Sequence, residues 1–585
     1  MGRLIFLYGV SLMKKIIKGT LAFFCLVLIS CGGKRTFRDG TWTGSGEGRN
    51  GPVEVSVTIK DGEVCAAELL SEQETEGIGK PAIQPILEQF LQSGGNTDDV
   101  DTVSGATVTS DGLLDALDAA LDSSAGKEKK RPAYKNTKCD IVIIGAGGAG
   151  LVAATEAAGK GAKTIVLEKS PIVGGNTNFS TGGINASYTK EQKRLGIEDS
   201  PEVFYQDTMR GGKNLNDPEL VRTLVDNSAA MVEWLQSDIV GADLSDVGIF
   251  GGASNKRIHR PRGGQAIGEH LVPLLREAAE EQGADIRLKN RVVEILMGKD
   301  GNACGVRVSS GSSEYTIMAK AVIIATGGFG ANSKMVEQFR PDLAGFGTTN
   351  QRGATGDAFS MVQKFDAATT QMDQIQTHPT VVPKNGSMIT EAVRGNGAIL
   401  LDRSGMRFVD EMQTRDLVSK AILDCPGKTA FLVFDQGVRE SLKAIESYAE
   451  HNLLTEAQSL GELAEKIGLD PVQVEKSVER WNSFVAEKKD KDFGRNPKSM
   501  DRAIASAPFY AIEVEPAVHH TMGGLKINSR AQVLNASGKI IPGLYAAGEV
   551  TGGIHGANRL GGNAVADICV FGKIAADSAL NQIGK

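Results

Sequence analysis

The sequence predicts an α/β protein in two parts: a small α+β module followed by a larger one built on a parallel sheet. Three observations predict it. Ile141 to Ile144 is a continuous apolar run that leads into a glycine cluster and then an alanine-rich stretch, the pattern of a buried parallel strand turning into a helix. Val53, Val55, Val57 and Ile59 alternate with polar residues, the period of a half-buried strand. Between the two regions "GKEKKRPAY" (126–134) is charged and contains proline, as a linker does. At 585 residues the chain is also too long for one core.

Taken in order, the chain first shows "MKKIIKGTLAFFCLVLISCGGK" from Met13. Two lysines precede an apolar run that is too short for a membrane span, which reads as a secretory signal. Leu28-Ile29-Ser30-Cys31 then resembles a bacterial lipobox, so residues 13–31 form a lipoprotein signal with Cys31 as the lipidated residue. The protein is therefore expected to be exported and held to a membrane through a lipid anchor. The small module spans 38–124. Its alternating strand turns at "KDG" into a second strand, "AIQPILEQFLQSG" is an amphipathic helix, and "DTVSGATVTS" (101–110) precedes the last helix, which Ser110 or Asp111 is placed to cap. Five hydroxyl residues in those ten are more than a cap needs. The linker occupies 125–137.

The large module opens with "KCDIVIIGAGGAGLVAATEAAGKGAKTIVLEKS". Gly145, Gly147 and Gly150 form GxGxxG, and Glu168 ends the second strand with seventeen residues between it and Gly150. Glycines there let the backbone and a helix N-terminus approach a pyrophosphate, and the acid takes a ribose hydroxyl. "AVIIATGGFG" (321–330, with Gly327 and Gly328) and "GLYAAGEVTGG" (543–553, with Glu549) add two more apolar strands ending in glycines. "GGNTNFSTGGINAS" (174–187) supplies Gly175, Asn176, Thr181, Gly182 and Gly183, small residues where a flat ring system could lie.

Composition excludes other classes. A net charge of −7 with no basic stripe argues against nucleic acid. The seven cysteines (Cys25, Cys31, Cys65, Cys139, Cys304, Cys425 and Cys569) form no CxxC, so neither a c-type haem, a thiolate cluster nor a metal site is expected. The five beyond the signal read as small buried apolar residues.

The strings "GGNTNFSTGG", "HPT", "MITEAVRGNGAI", "TRD", "HHTMGGL" and "HGANRLGGNA" resemble the flavoprotein of the soluble fumarate reductases of the flavocytochrome c type, and more distantly the fumarate reductase/succinate dehydrogenase flavoproteins. The resemblance covers nearly all of 138–585. It implies a Rossmann-type FAD-binding domain (138–372 and 519–585) interrupted by an α+β capping domain (373–518), with non-covalent FAD. Asn563 and Ala564 in "GGNA" join the cofactor-binding set by the same likeness. His378, Thr390, His519 and Arg559 match the residues that hold two substrate carboxylates, and Arg559 offers a bidentate fork. Met388 matches an apolar residue pressing on the substrate, although by residue type alone it reads as a core methionine.

Arg415 in "TRD" matches the family's proton donor. Glu391 and Arg394 match the relay that reprotonates it, and their spacing of three puts them side by side on a helical turn. Residue type alone would instead pair Arg415 with Asp416 or Glu411. A guanidinium is an unusual acid, but the species it protonates is carbanion-like and strongly basic. The implied reaction is hydride transfer from reduced FAD N5 to one alkene carbon of fumarate, with Arg415 protonating the other to give succinate.

No multihaem domain accompanies this flavoprotein. In its place, "DGTWTGSGEG", "VEVSVTIKDGEV" and "DTVSGATVTS" resemble the FMN-binding domain of Na⁺-translocating quinone reductases and related exported proteins. The resemblance implies FMN joined through its phosphate to Thr107 of Asp101-x-x-Ser104-Gly105-Ala106-Thr107, passing electrons from a separate donor to FAD. Alternatives within the fold are reductases of methacrylate, acrylate or urocanate, or a ketosteroid dehydrogenase-like oxidase. A pure electron relay is the alternative of another class. Urocanate lacks a second carboxylate, and a relay would not need the intact histidine and arginine set.

Overall fold

The computed structural model describes residues 37–48, 51–72, 74, 79–103, 106–126, 134–311, 313–383 and 386–585. The signal segment with Cys31, residues Ser104 and Gly105, and 127–133 of the linker lie outside them. For Thr107 the backbone is described and the side chain is not.

The small module is a three-stranded antiparallel sheet of Gly40–Glu47, Pro52–Lys60 and Glu63–Ser71, covered by the helices Gly79–Gln92 and Thr107–Ser124. The predicted pair of strands is present, and Gly40–Glu47 is an additional one. Its glycine-rich sequence hides it from strand propensity, and packing explains the glycines. A Cβ on Gly44 would lie 2.0 Å from the Ala116 carbonyl oxygen, and one on Gly46 equally close to that of Gly112. The helix lies directly on this strand. Val53, Val55, Val57 and Ile59 are buried against Phe90, Leu113, Leu117 and Leu121, each contributing about 1.5–3 kcal/mol.

The helix Thr107–Ser124 begins three residues before the predicted cap, with Ala106 as its N-cap and no side-chain cap bond. Ser110 and Asp111 fall in its first turn instead. The Ser110 hydroxyl accepts from the Val103 N–H at 3.1 Å and donates to the Ala106 carbonyl at 3.0 Å.

The large module is organised by a six-stranded sheet in the order Asp285–Arg287, Thr164–Leu167, Ile141–Ile144, Ala321–Ile324, Ile540–Ala546 and Gln532–Leu534. The first five strands are parallel and the last antiparallel. The three apolar runs identified in the sequence are therefore neighbours, and their carboxyl ends form one edge. The helices Gly148–Gly159 and Asn563–Ile583 pack against each other, so the core is continuous from Ile141 to Leu580.

A second sheet, centred on the long strand Phe509–Thr521, pairs it with Ile375–Val381, Ala430–Asp435 and Thr455–Ala457, with Ile399–Leu401 beyond. Its two faces alternate as the period of two requires. Leu432, Phe434 and Ile512 face one cluster; Phe431, Val433 and Ala511 face the other, with Trp481. The expected boundary at 518/519 falls within Phe509–Thr521, a strand running unbroken from the capping sheet to the cofactor region. An ion pair between Asp115 and Lys289 links the small module to the large one.

Two cysteine expectations hold: Cys139 and Cys569 are buried, and burial pushes the Cys139 thiol up to about 12. Cys65 is exposed and Cys304 and Cys425 are half-buried, which corrects the reading of all five as buried. Among the described residues no helix is long and apolar enough to cross a membrane.

Candidate active site

The parallel strands end at a narrow cavity lined by Gly145, Gly147, Glu168, Gly175, Gly327 and Glu549. Residues Asn176, Thr177, Glu549 and Ile568 also line a second cavity of about 1130 Å³, so the two join. Thr181, Gly182, Gly183, Ala564 and all the predicted substrate residues line the larger one. The arrangement is that of an extended ligand crossing the sheet edge, with one end in each cavity.

The fit to FAD can be tested on the glycines. Gly147 caps the helix Gly148–Gly159 with no side-chain bond, and a Cβ placed on it would meet nothing nearer than 3.7 Å. Gly327, at φ +73°, has nothing within 4 Å. Both leave open the space a pyrophosphate and its neighbours require. Gly150 does other work. A Cβ there would stand 2.0 Å from the Gly145 carbonyl, so it lets the helix approach the strand. Gly328 is similarly packed, against Thr521 and Glu549.

The Glu168 carboxylate accepts the N–H groups of Ala146 (2.9 Å) and Ser170 (2.8 Å), and each oxygen keeps a lone pair for a hydroxyl. Glu549 accepts from the Thr521 N–H at 3.0 Å and the Asn176 amide at 3.2 Å, and burial pushes its carboxyl up. The Asn563 side chain turns away, bonding Asn185 and Thr208, while its backbone starts the last helix.

In the large cavity the charges converge. Arg415 opens the helix Arg415–Asp424, and its Nε donates to Glu391 Oε2 at 2.9 Å. This is the partner the family likeness implied. Asp416 instead pairs with Lys213, and the Glu411 side chain with Arg407 and Arg495. Glu391 and Arg394 share the short helix Glu391–Gly395, where Arg394 Nη2 stands 3.9 Å from Glu391 Oε2. Burial raises the Glu391 carboxyl, but the charges of Arg415 and Arg394 outweigh it and hold the group below its ordinary value. Arg394 is fully buried and lies behind the cavity wall; its Nη1 donates to the Glu411 carbonyl.

Arg559 is buried, and burial together with the Arg415 charge lowers it to about 9. Its Nε has no partner among the described residues. Opposite stand His378 and His519, ring centroids 5.1 Å apart. Burial, then the Arg415 charge, holds both well below 6.5, so both are neutral. The Thr390 hydroxyl caps its helix by accepting from the Ala392 N–H at 3.4 Å, and Met388 lines the wall beside it.

Four further groups hold these residues, and the sequence analysis did not identify them. Gln376 accepts from Arg415 Nη1 at 3.4 Å and donates to the Arg559 carbonyl at 2.8 Å, joining the two arginines. Its signal was available: in an extended strand Gln376, His378 and Thr380 share a face. The Gly251 N–H donates to Glu391 Oε1 at 2.9 Å, the Thr349 hydroxyl meets His519 Nδ1 at 2.7 Å, and the Tyr448 hydroxyl accepts from the Thr390 N–H at 2.9 Å. Those three come from distant segments and carry no local pattern.

The small module reaches the same place. Ala106, Thr109 and Asp111, at the uncapped start of Thr107–Ser124, line the large cavity. The positive end of the helix dipole lies there, which suits a phosphate. Among the described residues no three metal-binding side chains come together.

Comparison with known proteins agrees with this geometry. The FAD binding domain family matches residues 140–565, and the FMN-binding domain family matches 48–122. The chain is 48% identical over 441 residues to a fumarate reductase (cytochrome) from Shewanella frigidimarina, covering 75% of this chain and 76% of that one. It is 41% identical over 555 residues to an NADH:fumarate oxidoreductase from Klebsiella pneumoniae (strain 342), covering 94% of this chain and 59% of that longer protein. Among solved structures, the open conformation of a flavocytochrome c3 fumarate reductase superposes with a TM-score of 0.66 at 39% identity, covering 83% of this chain and 85% of that one.

Proposed function

Because this chain belongs to the FAD-dependent fumarate reductase/succinate dehydrogenase family of oxidoreductases acting on CH–CH bonds, we propose that it reduces fumarate to succinate, with electrons arriving through FMN on the N-terminal module. One observation carries the substrate reading. Two buried guanidiniums, Arg415 and Arg559, face one cavity with His378, His519 and Thr390, and among the described residues only Arg415 of the two has a carboxylate partner. A buried unpaired charge costs about several kcal/mol, so Arg559 calls for an anionic ligand. A dicarboxylate satisfies the arginine and the histidines together. Acrylate, methacrylate and urocanate bring one carboxylate and leave part of that set unused.

FAD, when bound, supplies a hydride, which is two electrons and one hydrogen, to one alkene carbon. Arg415 gives a proton to the other carbon, so the double bond gains one hydrogen at each end. The guanidinium also stabilises the charge that develops there. Glu391, bonded to Arg415 Nε, is placed to return the proton, and Arg394 stands next behind it. Arg559, His378, His519 and Thr390 hold the carboxylates, which fixes the alkene and draws charge from it. Met388 covers the apolar middle. Closure of the capping sheet over the cavity would keep water from the reacting atoms.

FMN, held at the start of the helix Thr107–Ser124, would pass electrons one at a time toward FAD. The reading of a covalent phosphoester at Thr107 rests on the Asp101–Thr107 motif and on the uncapped helix start beside the cavity. The reading of an exported lipoprotein, anchored through Cys31 and fed by a separate electron donor, rests on the lipobox-like Leu28–Cys31 and on the exported relatives of the FMN motif.

The deciding experiment is dye-coupled turnover by the FAD-loaded protein with fumarate, acrylate, methacrylate and urocanate. Fumarate is expected to be reduced at the highest kcat/KM. Bound FAD with no fumarate turnover refutes the reading.

A further inference from the structure

Fumarate carries two carboxylates, and a neutral imidazole has one proton with which to hold either. The nitrogen that carries that proton therefore decides whether a histidine can serve. Both site histidines are neutral, by burial and by the arginines around them. Each also has an Nδ1 that faces a group of this chain.

For His378 the facing group is the Thr380 backbone N–H, at 3.3 Å. An amide N–H only donates, so His378 Nδ1 must accept and its proton sits on Nε2. The Thr380 hydroxyl, 3.4 Å from the same nitrogen, gives its own proton to the Ile389 carbonyl at 2.8 Å, so the amide N–H is the proton that His378 Nδ1 faces.

For His519 the facing group is the Thr349 hydroxyl, at 2.7 Å. A hydroxyl can donate or accept, so its surroundings decide. Its other acceptor is the Val518 carbonyl, at 3.4 Å. That carbonyl already takes the Thr349 N–H at 2.9 Å, and it lies 0.7 Å farther from the Thr349 hydroxyl than His519 Nδ1 does, at 3.4 Å against 2.7 Å. The Thr349 proton is therefore directed to His519 Nδ1, and the proton of His519 also sits on Nε2.

We propose that Thr349 is a positioning residue that selects the Nε2–H tautomer of His519, so that two neutral, tautomer-fixed imidazoles act as carboxylate donors beside Arg559. The role as carboxylate donors rests on the fumarate reading; the tautomer itself does not. Two variants separate the possibilities. Thr349→Val keeps the shape and removes the hydroxyl, and Thr349→Ser keeps the hydroxyl.

The test is ¹⁵N NMR of the ring nitrogens in the FAD-loaded full chain without substrate, with the His519 signals assigned by their loss in His519→Gln. Expected in the wild type are a protonated Nε2 and an unprotonated, hydrogen-bonded Nδ1. In Thr349→Val the Nδ1 signal should move away from that position, and Thr349→Ser should restore it. With fumarate, Thr349→Val should raise KM about tenfold, the worth of roughly one hydrogen bond, while kcat stays within about threefold. A wild-type His519 protonated on Nδ1, or an Nδ1 signal unchanged in Thr349→Val, overturns the proposal whatever the substrate is. If the tautomer responds as expected and fumarate is not turned over, the substrate reading fails and the tautomer assignment stands.

Discussion

Arg415 Nε donates to Glu391 Oε2 at 2.9 Å, and this bond joins two elements of the capping region across the cavity wall. Glu391 is further tied to Gly251, in a loop more than a hundred residues earlier. The proposed proton path thus depends on three separate segments meeting at one carboxylate.

Removing the proposed acid should stop chemistry and spare the cofactor. Arg415→Lys is expected to lower kcat for fumarate by about a thousandfold, within the usual range for a lost general acid. FAD content and the rate of flavin reduction by a dye should be unchanged. Retention of near-wild-type kcat would remove Arg415 from the mechanism.

Gly251→Ala should act on the same carboxylate from the other side. A Cβ there would come 2.8 Å from Glu391 Oε1 and 3.1 Å from the Met412 carbonyl, so Glu391 must shift and lose its amide bond. A hydrogen bond to a charged group is worth about 1.5–3 kcal/mol, which corresponds to a fall in kcat of roughly ten- to a hundredfold. Steady-state rates at saturating fumarate, with FAD occupancy as the control, measure it.

Acid should weaken the fold through its buried histidines. His378, His519 and His520 are held well below 6.5 by burial and, secondarily, by nearby arginine charge. Between the folded and unfolded values the unfolded chain binds more protons, so stability increases with pH there. Their contribution is complete above about pH 6.5 and is lost as the pH falls toward the folded values. Calorimetry of the FAD-loaded protein should show a melting temperature that drops on acidification below that point. A melting temperature that rose instead would contradict the neutral assignment.

Thr107→Ala should abolish the second flavin. The wild-type chain is expected to fluoresce in a denaturing gel, and the variant is expected not to, while dye-fed fumarate reduction persists. Equal fluorescence in both would exclude a phosphoester at this threonine.

Much of this protein can be read along the chain because the relevant signals are local. A four-residue apolar run before GxGxxG announces a buried strand and a phosphate-binding turn, since strand burial and helix start depend on neighbours in sequence. The spacing of three between Glu391 and Arg394 announces a shared helical turn for the same reason, and the structure places them 3.9 Å apart. Two local readings were incomplete. Gly40–Glu47 is a strand because its glycines admit a helix that arrives seventy residues later. Ser110 is not a cap because Thr107–Ser124 starts earlier than its hydroxyls suggest.

Convergence was decided by tertiary structure alone. No pattern along the chain says that Gly251 meets Glu391, that Gln376 spans Arg415 and Arg559, or that Thr349 faces His519. Their separations run from tens to nearly two hundred residues, far beyond any helical or strand period. Local sequence sets which backbone conformations form and which face carries each side chain. Which faces then meet depends on burying the strand Phe509–Thr521 between its neighbours, because that strand carries His519 to the edge where the parallel sheet ends.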